Sequence, residues 1–345
     1  MKLALKITPQ HSTQYGNMAE ALALPELLAS PLAPAIREVT PVRLGGQGYL
    51  LVEIDNEGTA SSSGPDTPTV SQMEILSRLG ATSEIARYFD SIRDMQGPFL
   101  QPLEPRFTPF VPLEMAEARR YKGKTNELFT QVLLNLAIFA GAYSDQLSSR
   151  LRILDPLAGG GTTLFLALAY GFDAFGIEMN RQDVDTTAVF VRQYLQGEHI
   201  PFKEVDEHGR RAGRRDRFEI GYKGDTRTLV LAHGDAIQAD LHLREVPGGP
   251  RMHAIVGDLP YGIQHFSEVA PLLEKAVPVW QRLLLPGGTL ALSWNATRIE
   301  RGELINLLEQ RGNLRARNEP PYTQLAHAVD RVIKRRDILI AVKSE

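Results

Sequence analysis

The chain of 345 residues is long enough for two domains, or for one enlarged by insertions, and its 43% hydrophobic and 23% charged residues make an ordinary globular composition. Its 38 basic against 41 acidic residues leave a formal net charge of −3, which excludes binding by nonspecific phosphate contact over the whole surface and confines nucleic-acid contact to a local patch or a partner-completed surface. With no cysteine and eight histidines that form no close ligand pair, disulfides, thiolate zinc sites and thiol nucleophiles are excluded and no metal is expected.

The amino terminus, MKLALKITPQHSTQYG, is too polar and its apolar run too short for a signal segment or a membrane span, so a cytoplasmic location without membrane contact is expected. Residues 1–100 read as a small α+β domain. It begins turn-rich at Pro25, Pro31, Pro34 and Pro41, and continues in a strand-like run from Tyr49 to Ile54. After the Ser/Pro/Gly-rich loop from Thr59 to Val70, Met73, Ile75, Leu76 and Leu79, then Ile85, Ala86 and Phe89, recur at helical spacing. Residues 101–112 carry Pro102, Pro105, Pro109 and Pro112, too many imide bonds for a helix or a central strand, and are read as a linker.

The segment 113–345 reads as one α/β domain. Its lead-in, Tyr121-Lys122-Gly123-Lys124-Thr125-Asn126-Glu127, runs into a buried helix face marked by Leu128, Val132, Leu133, Leu136 and Ile138, with Thr125 or Asn126 as the cap. Ile153 and Leu154 then stop at Asp155. A loop with Gly159, Gly160 and Gly161 follows, and an Ala/Leu-rich helix ends at Gly171. A second strand, Ala174 to Ile177, closes on Glu178, giving a β-α-β unit with a carboxylate at the tip of each strand. Ligands of such units lie beyond the carboxyl ends of the strands, where an acid after the second strand accepts from ribose hydroxyls. The acid before the glycines would repel a pyrophosphate but suits a cationic sulfonium or ammonium group, so a nucleoside ligand is expected and NAD is disfavoured.

Beyond Asn180 a helix carries Val184, Ala188, Val189, Val191 and Leu195 and closes at Gly197. Residues 199–228 read as an inserted hairpin whose turn holds Arg210, Arg211, Arg214 and Arg215. Those arginines are either a phosphate-gripping patch or a solvated charge cluster. Leu229 to Ala232 leads to Asp235, and Ala254 to Val256 leads to Asp258-Leu259-Pro260-Tyr261-Gly262. A helix from Phe266 to Leu285, the turn Pro286-Gly287-Gly288, a strand to Trp294 and a helix from Gly302 to Gln310 come next. The end reads as a strand pair between His327 and Lys343 around a basic turn.

Asp155-Pro156-Leu157-Ala158-Gly159-Gly160-Gly161-Thr162-Thr163 resembles motif I of S-adenosyl-L-methionine-dependent methyltransferases that modify nucleic-acid bases, and Asp258 to Tyr261 resembles their motif IV. The Tyr121–Glu127 lead-in resembles motif X, and the amino-terminal region resembles the one ahead of the THUMP domain in tRNA guanine methyltransferases, although too little chain precedes the catalytic region to hold a full THUMP domain as well. The resemblance implies a Rossmann-like class I methyltransferase fold with a mostly parallel sheet and an antiparallel last strand. It implies cofactor contacts from Thr125, Asp155, Pro156, Gly159, Gly161, Thr162, Glu178 and Asp235, the last of these on the adenine amino group. Asp258, Pro260 and Tyr261 would carry transfer to an exocyclic amino group, with Gly262 and the arginine turn on the substrate side. RNA, tRNA foremost, and guanine N2 are the expected target, with or without a small activating subunit. A DNA adenine or cytosine amino-methyltransferase and a noncatalytic nucleoside-binding scaffold are the alternatives.

Overall fold

The computed structural model describes residues 1–10, 13–55, 67–121, 123–209, 213–222, 224–260, 266–329 and 334–344. In chain order the elements are β1 (Lys2–Ile7), α1 (Thr13–Ala29), β2 (Ile36–Leu44), β3 (Gln47–Ile54), α2 (Val70–Leu76), β4 (Thr82–Ile92), β5 (Met95–Pro102), α3 (Glu114–Ala118) and α4 (Glu127–Phe139). There follow β6 (Arg152–Asp155), α5 (Thr162–Ala169), β7 (Asp173–Glu178), α6 (Arg181–Gly197), β8 (Phe202–Gly209), β9 (Gly213–Tyr222) and β10 (Asp225–His233). The chain ends with α7 (Ala239–His242), β11 (Met252–Asp258), α8 (Phe266–Leu283), β12 (Leu284–Asn295), α9 (Arg301–Gly312), β13 (Leu314–Ala316) and β14 (Arg336–Lys343).

Two sheets result. The first five strands form an antiparallel sheet in the order β2-β3-β1-β4-β5. The other nine are ordered β13-β14-β12-β11-β6-β7-β10-β9-β8. From β10 through β7, β6 and β11 to β12 every pairing is parallel, whereas β14 runs antiparallel to β12. That is the Rossmann-like class I methyltransferase layout the sequence implies.

The large sheet is buried on both faces, which is why its central strands read as unbroken apolar runs instead of alternating ones. Ile153, Ala174, Leu231, Val256 and Ala291 share one core with α4, α5 and α6, while Leu154, Phe175, Val230, Ile255 and Leu292 share the other with α7, α8 and α9. The small sheet joins the first of these cores through Leu3, Leu5 and Val52, and α1 through Leu22. A buried polar joint fixes the contact. Glu26 of α1, 0% exposed, accepts from the backbone N–H groups of Gly80 and Ala81 at 2.9 Å each and from Asn135 Nδ2 of α4 at 2.7 Å.

Three sequence expectations change and one, the hairpin, finds its place. The prolines suggest a turn-rich start, but α1 carries Pro25 internally and Pro41 stands in the edge strand β2, where its missing N–H disturbs the ladder least. Ile85, Ala86 and Phe89 do not extend a helix; they lie on β4, whose inner positions pair with β1 and β5. The hairpin read in residues 199–228 is present as β8 and β9, which extend the large sheet beyond β10. Finally, β14 pairs with β12 and β13, and His327 meets Arg336 only in an isolated bridge. Among the described residues no helix is long and apolar enough to cross a membrane.

Candidate active site

Strands β10, β7, β6 and β11 bring their carboxyl ends to one edge of the sheet, and strand succession reverses direction between β6 and β11. Loops diverge at such a switch point and leave a crevice. A cleft of about 660 Å³ lies there, walled by Pro156 and Leu157 after β6, Glu178 and Met179 after β7, Asp235 to Ile237 after β10, and Asp258 and Pro260 of β11 and its loop. Leu272 and Lys275 of α8 close its far side.

Glu178 ties the two loops of the β-α-β unit together. Its Oε2 accepts from the Gly159 N–H at 2.9 Å and its Oε1 from the Asn180 N–H at 2.7 Å, which leaves lone pairs of both oxygens for a ligand in the cleft. Beside it Met179 is 73% exposed, an unusual state for a large apolar side chain that contributes to a cleft wall. Asp235 caps the turn that carries Ile237 by accepting from its N–H at 3.0 Å, and Trp280 Nε1 of α8 fixes the same turn by donating to the Ala236 carbonyl at 3.0 Å.

Asp155 is only 3% exposed. Burial pushes its carboxyl up to about 7; the Thr163 hydroxyl and the Leu157 N–H oppose that rise, and the negative charges of Asp258 and Glu178 add to it. Its Oδ1 accepts the Leu157 N–H at 2.9 Å. Asp258 also stands above the usual carboxylate range because of burial, countered by Arg336 and by hydrogen bonds from Thr125 and Ser293. The donors are Thr125 Oγ1, 2.6 Å from Oδ2, and Ser293 Oγ, 2.8 Å from Oδ1. The charges of Asp258 and Glu178, from two other strand ends, thus both bear on the buried Asp155, an environment that a cation would relieve.

Over the glycine loop lies the segment before α4. The Tyr121 hydroxyl is 2.9 Å from Thr162 Oγ1, at the start of α5, and a Cβ added at Gly160 would sit 2.4 Å from the Tyr121 ring. Glycine is required at 160 by this close approach. Replacing Gly160 with Ala is expected to displace the ring, break its bond to Thr162 and destabilise the protein by about 1–3 kcal/mol, measurable by chemical denaturation; an unchanged midpoint would show that the ring does not rest on the loop.

No family model and no curated protein matches the sequence. Solved structures of similar layout include TrmN from Thermus thermophilus, at 13% identity over 99% of each chain with a TM-score of 0.44. The T. thermophilus 16S rRNA N2 G1207 methyltransferase RsmC, in complex with AdoMet and guanosine, aligns at 17% identity over 90% of this chain and 59% of its own, with a TM-score of 0.36. A TehB-like SAM-dependent methyltransferase from Corynebacterium glutamicum aligns at 15% identity over 58% and 84%, with a TM-score of 0.34. At these scores the likeness is one of layout, and no residue role is taken from it.

The residues expected from sequence divide in their placement. Pro156, Glu178, Asp235, Asp258 and Pro260 line the cleft. Asp155 lies behind that wall, within the electrostatic reach of Asp258 and Glu178. Of the other expected cofactor contacts, Thr162 is bonded to Tyr121 and Thr125 to Asp258, while the cap of α4 is Asn126, whose side chain accepts the Phe129 N–H at 3.1 Å. The described part of the arginine turn faces inward. Arg214 pairs with Asp185 at 2.8 Å and Asp216 at 3.2 Å, and Arg215, 3% exposed, donates to the His242 carbonyl at 3.0 Å. Both stand on the sheet strand β9, where their guanidinium groups answer neighbouring acids and a carbonyl. Arg210, Arg211, Tyr261 and Gly262 lie outside the described residues.

Sequence reasoning passes over Met179, Ile237, Lys275 and Ser293, and gives Gly160, Tyr121 and Arg336 no role of their own. Met179 and Ile237 carried a readable signal, since each directly or closely follows a strand-tip acid. Ser293 is found only through the parallel register that sets it beside Asp258.

Proposed function

We propose that the cleft binds S-adenosyl-L-methionine and serves transfer of its methyl group to the exocyclic amino group of a nucleic-acid base, guanine N2 of RNA. The observation that carries this reading is that Glu178, Asp235 and Asp258 line one cleft at the strand ends, with the buried Asp155 behind its wall. Such a field disfavours a pyrophosphate and favours a ligand bearing sulfonium and ammonium charges. Glu178 would take the ribose hydroxyls, Asp235 the adenine amino group, and Met179 and Ile237 the faces of the adenine ring. When bound, S-adenosyl-L-methionine supplies an electrophilic methyl group and keeps the electron pair of the broken carbon–sulfur bond.

Asp258 acts on the acceptor side. An arylamine lone pair is delocalised into its ring, and accepting hydrogen bonds from the amine favours the pyramidal form whose lone pair can point at the methyl carbon. As the nitrogen–carbon bond forms, the amine becomes acidic and its proton leaves by way of Asp258 to solvent. Pro260 shapes the wall beside it, and Tyr261 is the residue the sequence offers for stacking the base. An ionised carboxylate is an acceptor only. Guanine presents it with two adjacent donors, N1–H and N2–H, whereas adenine and cytosine present one donor beside a ring-nitrogen acceptor, which favours guanine. The choice of RNA rests on the sequence resemblance and on the ready access to Watson–Crick edges in single-stranded loops.

The test is transfer of tritiated methyl to total tRNA, ribosomal RNA and genomic DNA in parallel, with nucleoside analysis of each. Label recovered as N2-methylguanosine from RNA is the expected result. Label in DNA alone would overturn the RNA assignment, and S-adenosyl-L-methionine binding without transfer to any of the three would favour a noncatalytic scaffold.

A further inference from the structure

We infer that Thr125 is a positioning residue for the acceptor carboxylate, Asp258, and not a ligand of the cofactor. The inference rests on the proposed function for its catalytic meaning, while the contact itself stands on geometry. Thr125 Oγ1 donates to Oδ2 of Asp258 at 2.6 Å, across 133 residues of sequence, and Ser293 Oγ donates to Oδ1 at 2.8 Å from the neighbouring strand β12. Each carboxylate oxygen therefore has one direction filled by a protein hydroxyl and keeps another for the substrate. The plane of the carboxylate is fixed between two separate elements.

The chain before α4 is built to hold Thr125 there. Gly123 takes a φ of +80°, a left-handed turn that side chains rarely adopt. Lys124 Nζ donates to the carbonyls of Ala116 at 2.7 Å and Glu117 at 3.1 Å, anchoring the turn on the end of α3, and pairs with Glu127 at the start of α4. Asn126 then caps α4. Thr125 is thus pinned from both sides, and its hydroxyl is already engaged by the acid.

Groups from several elements act on this carboxylate. Asp155 of β6 shares its electrostatic field, the Tyr121 hydroxyl lies near both acids, Glu178 after β7 and Lys275 of α8 line the same cleft, and Arg336 of β14 favours ionisation of Asp258. Burial works the other way, toward the protonated acid. The two hydroxyls and Arg336 together keep Asp258 able to accept, and withdrawing the Thr125 bond leaves burial less opposed.

The experiment uses the full chain with Thr125→Val, which removes the hydroxyl at nearly constant volume, and Thr125→Ser, which keeps it. The Asp258 carboxyl is titrated by carbon-detected NMR, its signal identified by loss in Asp258→Asn, and cofactor affinity is measured by calorimetry. In Thr125→Val the Asp258 titration is expected to move up by about one pH unit, the loss of one hydrogen bond to the ionised form. Cofactor affinity should stay within about twofold and kcat at neutral pH should fall about tenfold, with Thr125→Ser close to the parent in all three. An unmoved Asp258 titration overturns the inference, as does a tenfold loss of cofactor affinity in Thr125→Val that Ser restores. A parent protein that binds cofactor and transfers no methyl group would overturn the proposed function while leaving the titration to decide the role of Thr125.

Discussion

Replacing Asp258 with Ala is expected to lower methyl transfer by about 10³-fold or more, equivalent to ~4 kcal/mol of transition-state stabilisation, while the dissociation constant for S-adenosyl-L-methionine changes by less than about threefold. The side chain stands on the acceptor wall of the cleft with both oxygens oriented by Thr125 and Ser293. On the proposed function, removing it deletes the acceptor for the amine and its proton, but leaves Glu178 and Asp235 in place. The fold should tolerate the change, because burial already raises the acid above its ordinary range and its loss removes an unfavourable charge. Asp258→Asn keeps one carbonyl acceptor but adds an NH2 that opposes the guanine donors, so it should retain little of the activity. A single-turnover assay with separate calorimetry decides the matter. An equal fall in cofactor affinity and rate would place Asp258 on the donor side instead.

Asp155→Asn should have opposite effects on stability and on cofactor binding. A carboxyl moved from 3.8 to about 7 is protonated more readily in the folded chain than in the unfolded one. The folded state therefore loses stability as pH rises from about 4 through 7, by ~4 kcal/mol in full, and the loss levels off above that. Asparagine carries no such charge. The variant should be more stable than the parent by ~1–3 kcal/mol at pH 8, after allowance for a poorer partner to Thr163, and the advantage should vanish near pH 4. Binding of a cationic cofactor moves the other way. It draws on the ionised acid, so the parent should bind more tightly as pH rises toward 7 and show a plateau beyond, while Asp155→Asn should bind about 10-fold to 100-fold more weakly at pH 8 with little dependence on pH. Denaturation and calorimetry across pH 5–8 test both halves. A variant no more stable than the parent at pH 8 would contradict the buried charge.

Much of this arrangement is legible in the sequence because the central strands are short apolar runs, each closing on an acid or on a glycine turn. Ile153-Leu154-Asp155, Ala174 to Glu178 and Ala254 to Asp258 announce both the parallel sheet and the edge at which the cleft lies. What escapes is set by contacts distant in the chain. Nothing near Ile85 or Phe89 in sequence says that β1 will pair with this segment, so an ambiguous apolar spacing reads as helix. The arginines at 214 and 215 read equally as a phosphate grip or a charge cluster, because Asp185 and the His242 carbonyl, which they meet, lie elsewhere in the chain. The bond from Thr125 to Asp258 escapes because Asp258 lies on a strand that follows it by more than a hundred residues.

The whole account turns on what the anionic cleft prefers to hold, and calorimetric titration of the intact chain with S-adenosyl-L-methionine and with NAD, at pH 6 and at pH 8, measures that preference directly. It should show one equivalent of S-adenosyl-L-methionine bound, several-fold more tightly at the higher pH, and no heat from NAD. Absence of S-adenosyl-L-methionine binding, or tight binding of NAD, would contradict it.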